Sequence, residues 1–325
     1  MTVNDIDYQA QKKEKDANIL LESSFGSDIM KYFHDDDVIE IMVNPDEKLW
    51  IDRLGKGREY TGIKIPASRV DTIIRIVASM KDTVCNAENP LLEAELPQYN
   101  ARFQGMIPPA APGPTFSIRK HASKVYTLDD YVRQGIMSKD DAQEIKKAIV
   151  ERKSIVVGGN TSSGKTTLVN GILHEIAKLN ERVITIEDTG ELQCDAEDFV
   201  PLRTVKGAVD MRDLLKASLR SRPDRIIVGE VRGGQEAFML IQTLYTGHSG
   251  VVTVHANGAK HCLFRLEQLL QEVVPTVPRE WIAEAIDMVI YMELANGVSR
   301  KVKEIVFVEG YDRNDGYKIR EIRQK

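Results

Sequence analysis

The chain has 325 residues, enough for two domains of ordinary size, and its 42% hydrophobic and 29% charged residues are typical of a soluble globular protein. The net charge of −5 excludes a chain that is polycationic throughout, although it leaves room for a local basic patch. The three cysteines lie far apart with no Cys-x-x-Cys pair. This spacing argues against a disulfide framework or a four-cysteine zinc site and fits a reducing cytoplasm.

The N-terminal segment is rich in acidic residues and lysine, and it lacks the apolar core of a signal peptide. No apolar window reaches the length of a membrane span, because the two best candidates are short and interrupted by Arg75 and Asp287. We therefore expect a cytoplasmic protein that is neither exported nor integral to a membrane. Peripheral attachment through a partner stays open.

Residues 1–125 are predicted to form a small α+β domain with an antiparallel sheet. Residues 5–33 are expected to be mostly helical and exposed, and residues 69–82 carry apolar side chains at helical spacing. Two alternating runs flank a turn at residues 44–46. Residues 101–120 indicate two strands around a Pro/Gly-rich loop.

Residues 126–140 are polar and lack strong periodicity, so we expect a linker there. Residues 141–325 then alternate short β-branched strands with helices, one of which has Asp210 as a predicted N-cap. This alternation predicts an α/β fold with a mostly parallel sheet and helices on both faces. Turn signals at residues 296–297 and 315–316 predict a few antiparallel strands at the end.

The segment GNTSSGKT, Gly159 to Thr166, matches the pattern G-x-x-x-x-G-K-[ST] between a predicted strand and a predicted helix. Its glycines let successive backbone N–H groups face phosphates, Lys165 reaches the β- and γ-phosphates, and the Thr166 hydroxyl holds Mg²⁺. The alternative is an ordinary Gly/Ser-rich loop. The motif predicts a P-loop NTPase domain of RecA-like fold that binds ATP and Mg²⁺. The predicted nucleotide-binding residues are Gly159, Asn160, Thr161, Ser162, Ser163, Gly164, Lys165, Thr166 and Thr167.

Acidic residues follow two of the predicted strands, where parallel sheets gather their ligands. Glu230 ends RIIVGE, and Gly229 stands where an Asp is usual, so Glu230 is expected to serve the metal, the attacking water, or both. Glu187, Asp188 and Glu191 follow the preceding strand in TIEDTGEL. The alternative for each acid is a turn or cap on the surface.

Two histidines, His248 and His255, flank the strand in TGHSGVVTVHA. They have no third ligand at metal spacing, which argues against a metal site. His248 follows Gly247, the expected helix end, so it can simply belong to that turn. His255 lies past the strand, at the same end of the sheet as the acids.

Four blocks in order, GGNTSSGKTTL, TIEDTGEL, SLRSRPDRIIVGEVRG and TGHSGVVTVHA, resemble the secretion and traffic ATPases of type IV secretion, type II secretion and the type IV pilus. In that family the last three are called the Asp box, the Walker B motif and the His box. The likeness covers the second domain, and EIMVNPDEKLWID and FSIRK resemble the N-terminal domain of the type IV secretion branch. The most similar group is that of TrbB-type conjugal transfer ATPases. The cysteines of this chain cannot build the zinc module that other branches often carry.

The resemblance implies roles for individual residues. Lys165 matches the loop lysine, Glu230 the Walker B glutamate and Glu191 the Asp-box glutamate that acts on water. His255 matches a His-box residue near the γ-phosphate, which we interpret as a sensor, and His248 matches the first histidine of that box.

The resemblance also implies positive charge from the first domain. Arg119 of FSIRK matches a position that supplies charge to the phosphates, with Arg102 as a second candidate. The alternative for each is a surface salt bridge.

The resemblance further implies a homo-hexameric ring that binds Mg·ATP between its domains and works with inner-membrane and cytoplasmic components of a secretion channel. Two other functions stay open: a nucleotide-gated scaffold with little turnover, and a DNA translocase. Direct nucleic-acid binding is not expected, because no basic run interleaved with aromatic residues is present.

Overall fold

The computed structural model describes residues 3–121, 124–295 and 299–322, with side chains from residue 15 onward. It divides into two compact units, Met1–Ser123 and Lys124–Lys325. No helix in these described ranges has the length and apolarity that a membrane crossing requires. The turn predicted at residues 296–297 lies outside the described residues.

The first unit is a six-stranded sheet with two helices. Its elements are α1 (Val3–Phe33), β1 (Val38–Val43), β2 (Lys48–Arg53), β3 (Gly57–Lys64), α2 (Ala67–Met80), β4 (Leu91–Leu96), β5 (Ala101–Met106) and β6 (Thr115–Lys120). The strand order is β3-β2-β1-β6-β5-β4, and every neighbouring pair is antiparallel. This is the α+β arrangement expected from the sequence.

A kink at Gly26 divides helix α1, since this glycine has φ 54° and ψ 178°. The Arg69 guanidinium of α2 donates to the carbonyl oxygens of Ser24 at 2.7 Å and Phe25 at 2.5 Å, which the kink releases from helical bonding. A Cβ on Gly26 would lie 2.6 Å from an Arg69 nitrogen. The kink and the arginine therefore depend on each other.

The second unit is an α/β layer structure around an eight-stranded sheet. Its helices are α3 (Leu128–Arg133), α4 (Lys139–Val150), α5 (Lys165–Ile176), α6 (Met211–Ser218), α7 (Gly234–Tyr245), α8 (Ala259–Gln271) and α9 (Arg279–Ala285). Its strands are β7 (Ile155–Gly159), β8 (Val183–Glu187), β9 (Phe199–Arg203), β10 (Arg225–Val228), β11 (Ser249–Val254), β12 (Met288–Ala295), β13 (Ser299–Asp312) and β14 (Gly316–Glu321).

The sheet order is β14-β13-β12-β7-β11-β10-β8-β9. The six strands from β12 to β9 pair in parallel, while β13 and β14 are antiparallel. Consecutive residues of β7 point to opposite faces of the sheet. Val156 packs with α6 to α9, and Val157 packs with α3 to α5. Helices therefore cover both faces, which confirms the predicted fold class. The Asp210 side chain caps α6 as expected, accepting from the Asp213 N–H at 2.8 Å.

The segment predicted as a linker, residues 126–140, differs from the structure. Most of it lies in α3 and the start of α4, inside the second unit, which begins at Lys124 rather than at the predicted residue 141. Thr127 and Ser138 each begin a helix. The side chain of each accepts the backbone N–H of the Asp three residues later, and the carboxylate of that Asp accepts the backbone N–H of the cap residue. Leu128 and Tyr131 are buried in the core below α5. The capping boxes stabilise the starts of α3 and α4, although the hydrophobic periodicity of this segment is weak.

Candidate functional site

The loop Gly159–Thr166, here called the phosphate loop, joins β7 to α5 and has a backbone that only certain residues allow. Gly164, the N-cap of α5, has φ +94°, and Ser162 has φ +61°. A Cβ on Gly159 would lie 2.6 Å from the carbonyl oxygen of Met292 on β12, and a backbone atom cannot move aside. The Arg300 guanidinium of β13 donates to the Ser162 carbonyl at 3.1 Å and braces the loop.

The phosphate loop presents polar groups that suit an anion. The Ser163 hydroxyl is fully buried and has no hydrogen-bond partner among the described residues, although buried hydroxyls are normally paired. The N-terminus of α5 follows directly, and a helix start attracts phosphate through its unpaired N–H groups. These features fit the triphosphate that the sequence predicts.

The Lys165 ammonium lies at the centre of the site. It donates to the carbonyl oxygens of Gly159 at 3.0 Å and Asn160 at 3.2 Å, and it lies 3.3 Å from Nδ1 of His255. The residue is 8% exposed. Its charge is thus held at the mouth of the loop by three different groups, rather than extended into solvent.

His255 lies just past β11 and bridges Lys165 to Glu230. Its Nε2 lies 2.7 Å from the Glu230 carboxylate, while Nδ1 faces the Lys165 ammonium. Burial, and then the Lys165 charge, lower the pKa of His255, which favours the neutral ring. The ring therefore lies between the ammonium and the carboxylate, 3.3 Å from the first and 2.7 Å from the second.

Glu230 follows β10 by two residues, and its two carboxylate oxygens face different side chains. Oε1 faces His255, and Oε2 accepts from Arg232 at 2.7 Å and 3.1 Å. Gly229, where an Asp is usual, has a packing reason: a Cβ there would lie 2.9 Å from the Cβ of Glu187. The neighbouring strand β8 therefore occupies the space that this Asp would need.

The three acids of the Asp box take different positions. Glu187 is 5% exposed, and its carboxylate accepts the backbone N–H groups of Glu191 at 2.8 Å and Leu192 at 3.1 Å. Burial raises the pKa of Glu187 to about 7 in spite of these donors. Asp188 accepts from Thr204 at 3.1 Å and from Arg232 at 3.3 Å.

Glu191 lies next to the helix that follows the phosphate loop. Its carbonyl oxygen accepts from Asn170 of α5 at 3.0 Å, and the Asn170 carbonyl accepts from the Gln193 N–H at 3.0 Å. The segment after β8 therefore folds back onto α5, which brings the Glu191 backbone towards the phosphate loop. The two acid clusters do approach each other, through Arg232 between Asp188 and Glu230.

Three other candidates belong to other elements. His248 and His255 lie at opposite ends of β11, with His248 just before the strand. The His248 N–H donates to the Thr243 carbonyl at 3.4 Å, at the end of helix α7. Arg119 and Arg102 are directly paired on β6 and β5 of the first unit. There they lie 4.0 Å from Glu40 and 3.7 Å from Glu95, respectively.

Four polar residues of the site were not identified from the sequence: Arg232, Asn170, Arg300 and Arg203. Arg203 ends β9, and its guanidinium packs against the backbone of Gly190. Arg232 follows Glu230 by two residues in SLRSRPDRIIVGEVRG, and this closeness to a candidate acid could have identified it. The other three reach the site from other elements, so only the fold brings them there.

A magnesium ion can be tested against these groups. The Thr166 hydroxyl and the Glu230 carboxylate are the oxygen donors that Mg²⁺ prefers. Over the ranges that the structure describes, no three His, Cys, Asp or Glu side chains form a group able to hold a metal. Thr166 and Glu230 would be the residues that hold the ion, and Mg²⁺ usually takes its remaining ligands from phosphate and water.

Comparison with known proteins shows the family. Residues 29–321 match the family described as "Type II/IV secretion system protein". The chain is 43% identical over 307 residues to "Conjugal transfer protein TrbB" of Rhizobium radiobacter, with 94% of each chain covered. It is 41% identical over 302 residues to "Probable conjugal transfer protein TrbB" of Sinorhizobium fredii, covering 92% of this chain and 91% of the other.

A solved structure shares the fold. The X-ray structure of the Yersinia pseudotuberculosis ATPase DotB superimposes with a TM-score of 0.64 at 15% identity, covering 86% of this chain and 78% of that one. At this identity the likeness concerns the fold alone. Family and sequence relatives together are decisive: the chain belongs to the type II/IV secretion system protein family and is similar to its TrbB-type conjugal transfer members.

Proposed function

We propose that this chain hydrolyses Mg·ATP and uses the energy to drive assembly or substrate transfer by a type IV secretion, or conjugation, apparatus. The observation that carries the proposal is the continuous contact from the phosphate-loop Lys165 through His255 to Glu230. This arrangement connects Lys165, which would bind the phosphates, to the carboxylate of Glu230. Such a connection suits a site that must detect the γ-phosphate as well as bind it.

Each residue has a proposed task in this reaction. The phosphate loop orients the triphosphate through its N–H groups, and the Lys165 charge offsets the charge that develops on the transferred phosphoryl group. Magnesium, when bound through the Thr166 hydroxyl and Glu230, supplies further positive charge at the phosphate oxygens. Glu191 and Glu230 orient the attacking water. His255 reports the position of Lys165 to Glu230.

We further propose that the protein works as a homo-hexamer at the cytoplasmic side of the inner membrane, with components of a secretion channel as partners. Arg119, and secondarily Arg102, would supply positive charge to the phosphates. The support is membership of the family together with the sequence likeness to TrbB-type proteins. Light-scattering mass with and without nucleotide tests the ring; a monomer under both conditions contradicts it.

Phosphate release from purified protein tests the reaction. We expect saturable turnover that needs Mg²⁺, loss of both ATP binding and turnover in Lys165→Ala, and binding without turnover in Glu230→Gln. Lys216→Ala, on the exposed side of α6, is the matched control for removing a lysine. ATP binding with no phosphate release by the wild type would favour the nucleotide-gated scaffold. Strong stimulation by DNA would favour the translocase.

A further inference from the structure

Arg232 lies between the two acidic segments of the site, and its backbone is fixed. It follows Glu230 by two residues and precedes helix α7. The Glu236 carboxylate, in the first turn of α7, accepts the N–H of Arg232 at 3.1 Å and that of Gly233 at 3.2 Å. The Gly234 N–H is bound in turn by Glu272 of α8 at 2.9 Å. These hydrogen bonds hold the backbone from which the Arg232 side chain extends.

All three guanidinium nitrogens of Arg232 face carboxylates. Nε and one terminal nitrogen lie 3.1 Å and 2.7 Å from Oε2 of Glu230, and the other terminal nitrogen lies 3.3 Å from Asp188. Only the planar fork of arginine can engage two acids in this way, because a lysine has a single nitrogen. Arginine is not deprotonated in proteins, so the bridge stays charged.

The bridge determines which way Glu230 points. With Oε2 held by Arg232, Oε1 faces Nε2 of His255 at 2.7 Å. Without the guanidinium, the negative charges of Glu230 and Asp188 would face each other with no cation between them, and repulsion would turn Glu230 away. The Arg232 side chain is 61% exposed, so its ion pairs contribute little to folding stability. Removing Arg232 is therefore expected to change the orientation of the Glu230 carboxylate rather than the folding stability.

We propose that Arg232 is a positioning residue for ATP hydrolysis: it holds the Glu230 carboxylate against His255 and ties it to the Asp box through Asp188. This inference rests on the proposed function. It assigns Arg232 no contact with the nucleotide. Its removal should therefore lower kcat while leaving ATP affinity and KM nearly unchanged.

The test compares Arg232→Ala and Arg232→Lys with the wild type. Arg320→Ala is the matched control, because Arg320 forms an exposed pair with Glu309 at 2.9 Å on β14. We expect kcat to fall by about 100-fold in Arg232→Ala, the scale of a misplaced catalytic group, and about tenfold in Arg232→Lys. KM, calorimetric ATP affinity and Tm should match those of Arg320→Ala. Unchanged kcat in Arg232→Ala, or an equal loss in ATP affinity, overturns the proposal.

A crystal structure of Arg232→Ala gives a second result that does not depend on turnover. We expect the Glu230 carboxylate to leave hydrogen-bonding distance of His255 Nε2. If that contact persists, Arg232 does not position Glu230, whatever the kinetics. A wild-type protein that binds ATP without releasing phosphate contradicts the proposed function instead. In that case the variant structure still decides the role of Arg232.

Discussion

The Lys165 ammonium lies 3.3 Å from Nδ1 of His255, although 90 residues separate them in the chain. The contact places a histidine ring directly beside the charged group of the phosphate loop. It also means that a shift of Lys165 towards a phosphate changes the surroundings of His255 directly.

Replacing His255 with Ala removes the link between Lys165 and Glu230 while every residue of the phosphate loop stays in place. We expect ATP affinity within about twofold of the wild type and turnover lower by about 10- to 100-fold. In His255→Gln, an amide N–H can still donate to Glu230, so the loss should be smaller. His34→Ala, in an exposed turn of the first unit, is the control. Full turnover in His255→Ala would exclude the sensor role.

Glu187 should make folding stability depend on pH. Its folded pKa, about 7, is raised above the ordinary value of 4.5, so the fold favours the protonated acid. Stability is therefore highest below the unfolded pKa and is lost as pH rises through 7. Relative to Glu187→Gln, the wild type should lose about 2 kcal/mol between pH 5 and pH 8. Urea unfolding of both proteins across that range provides the measurement; parallel curves would contradict the burial argument.

Introducing the usual Asp at position 229 should harm this protein. In Gly229→Ala the new Cβ would meet the Glu187 Cβ at 2.9 Å, which should cost about 1–3 kcal/mol of stability. Gly229→Asp adds a second carboxylate next to Glu187 and should be less stable still, with no gain in turnover. Thermal unfolding and phosphate release of both variants test this. Higher turnover in Gly229→Asp would show that the space is available.

Arg119 can be removed with little effect on folding. Its pair with Glu40 is 4.0 Å long and the side chain is 48% exposed, so its loss should cost less than about 1 kcal/mol. If it supplies charge to the phosphates, Arg119→Ala should lower kcat by about 10³-fold while Tm hardly changes. Arg102→Ala, on the neighbouring strand, allows the two candidates to be compared. Wild-type kcat in both variants would leave them as surface ion pairs.

The order of elements could be predicted because each strand and helix has its own local pattern. The buried β-branched runs, the glycines of the phosphate loop and the cap at Asp210 all appear in the structure where the sequence suggested. The short helix α3 was missed, since six residues are too few for periodicity to reveal. Its capping box was the signal that could have found it.

The interior of the site was harder to predict, because it depends on which strands become neighbours. Glu187 and Glu230 looked like equivalent acids at strand ends. In the structure one is buried and holds a loop by two N–H groups, while the other is shared between His255 and Arg232. The missing Asp at Gly229 becomes understandable only when β8 is known to lie beside β10. Sequence spacing carries no information on that adjacency.

The strand that carries the phosphate loop, β7, has a parallel neighbour on each side, β11 and β12. Displacing it would break two hydrogen-bonded ladders at once, so the phosphate loop begins at a strand that is held on both sides. Asp188 and Glu230 lie instead after the ends of β8 and β10, outside the ladders. Their side chains can turn about their own bonds without breaking a ladder. In this unit, a change driven by the nucleotide would therefore begin in the side chains around a stationary phosphate loop.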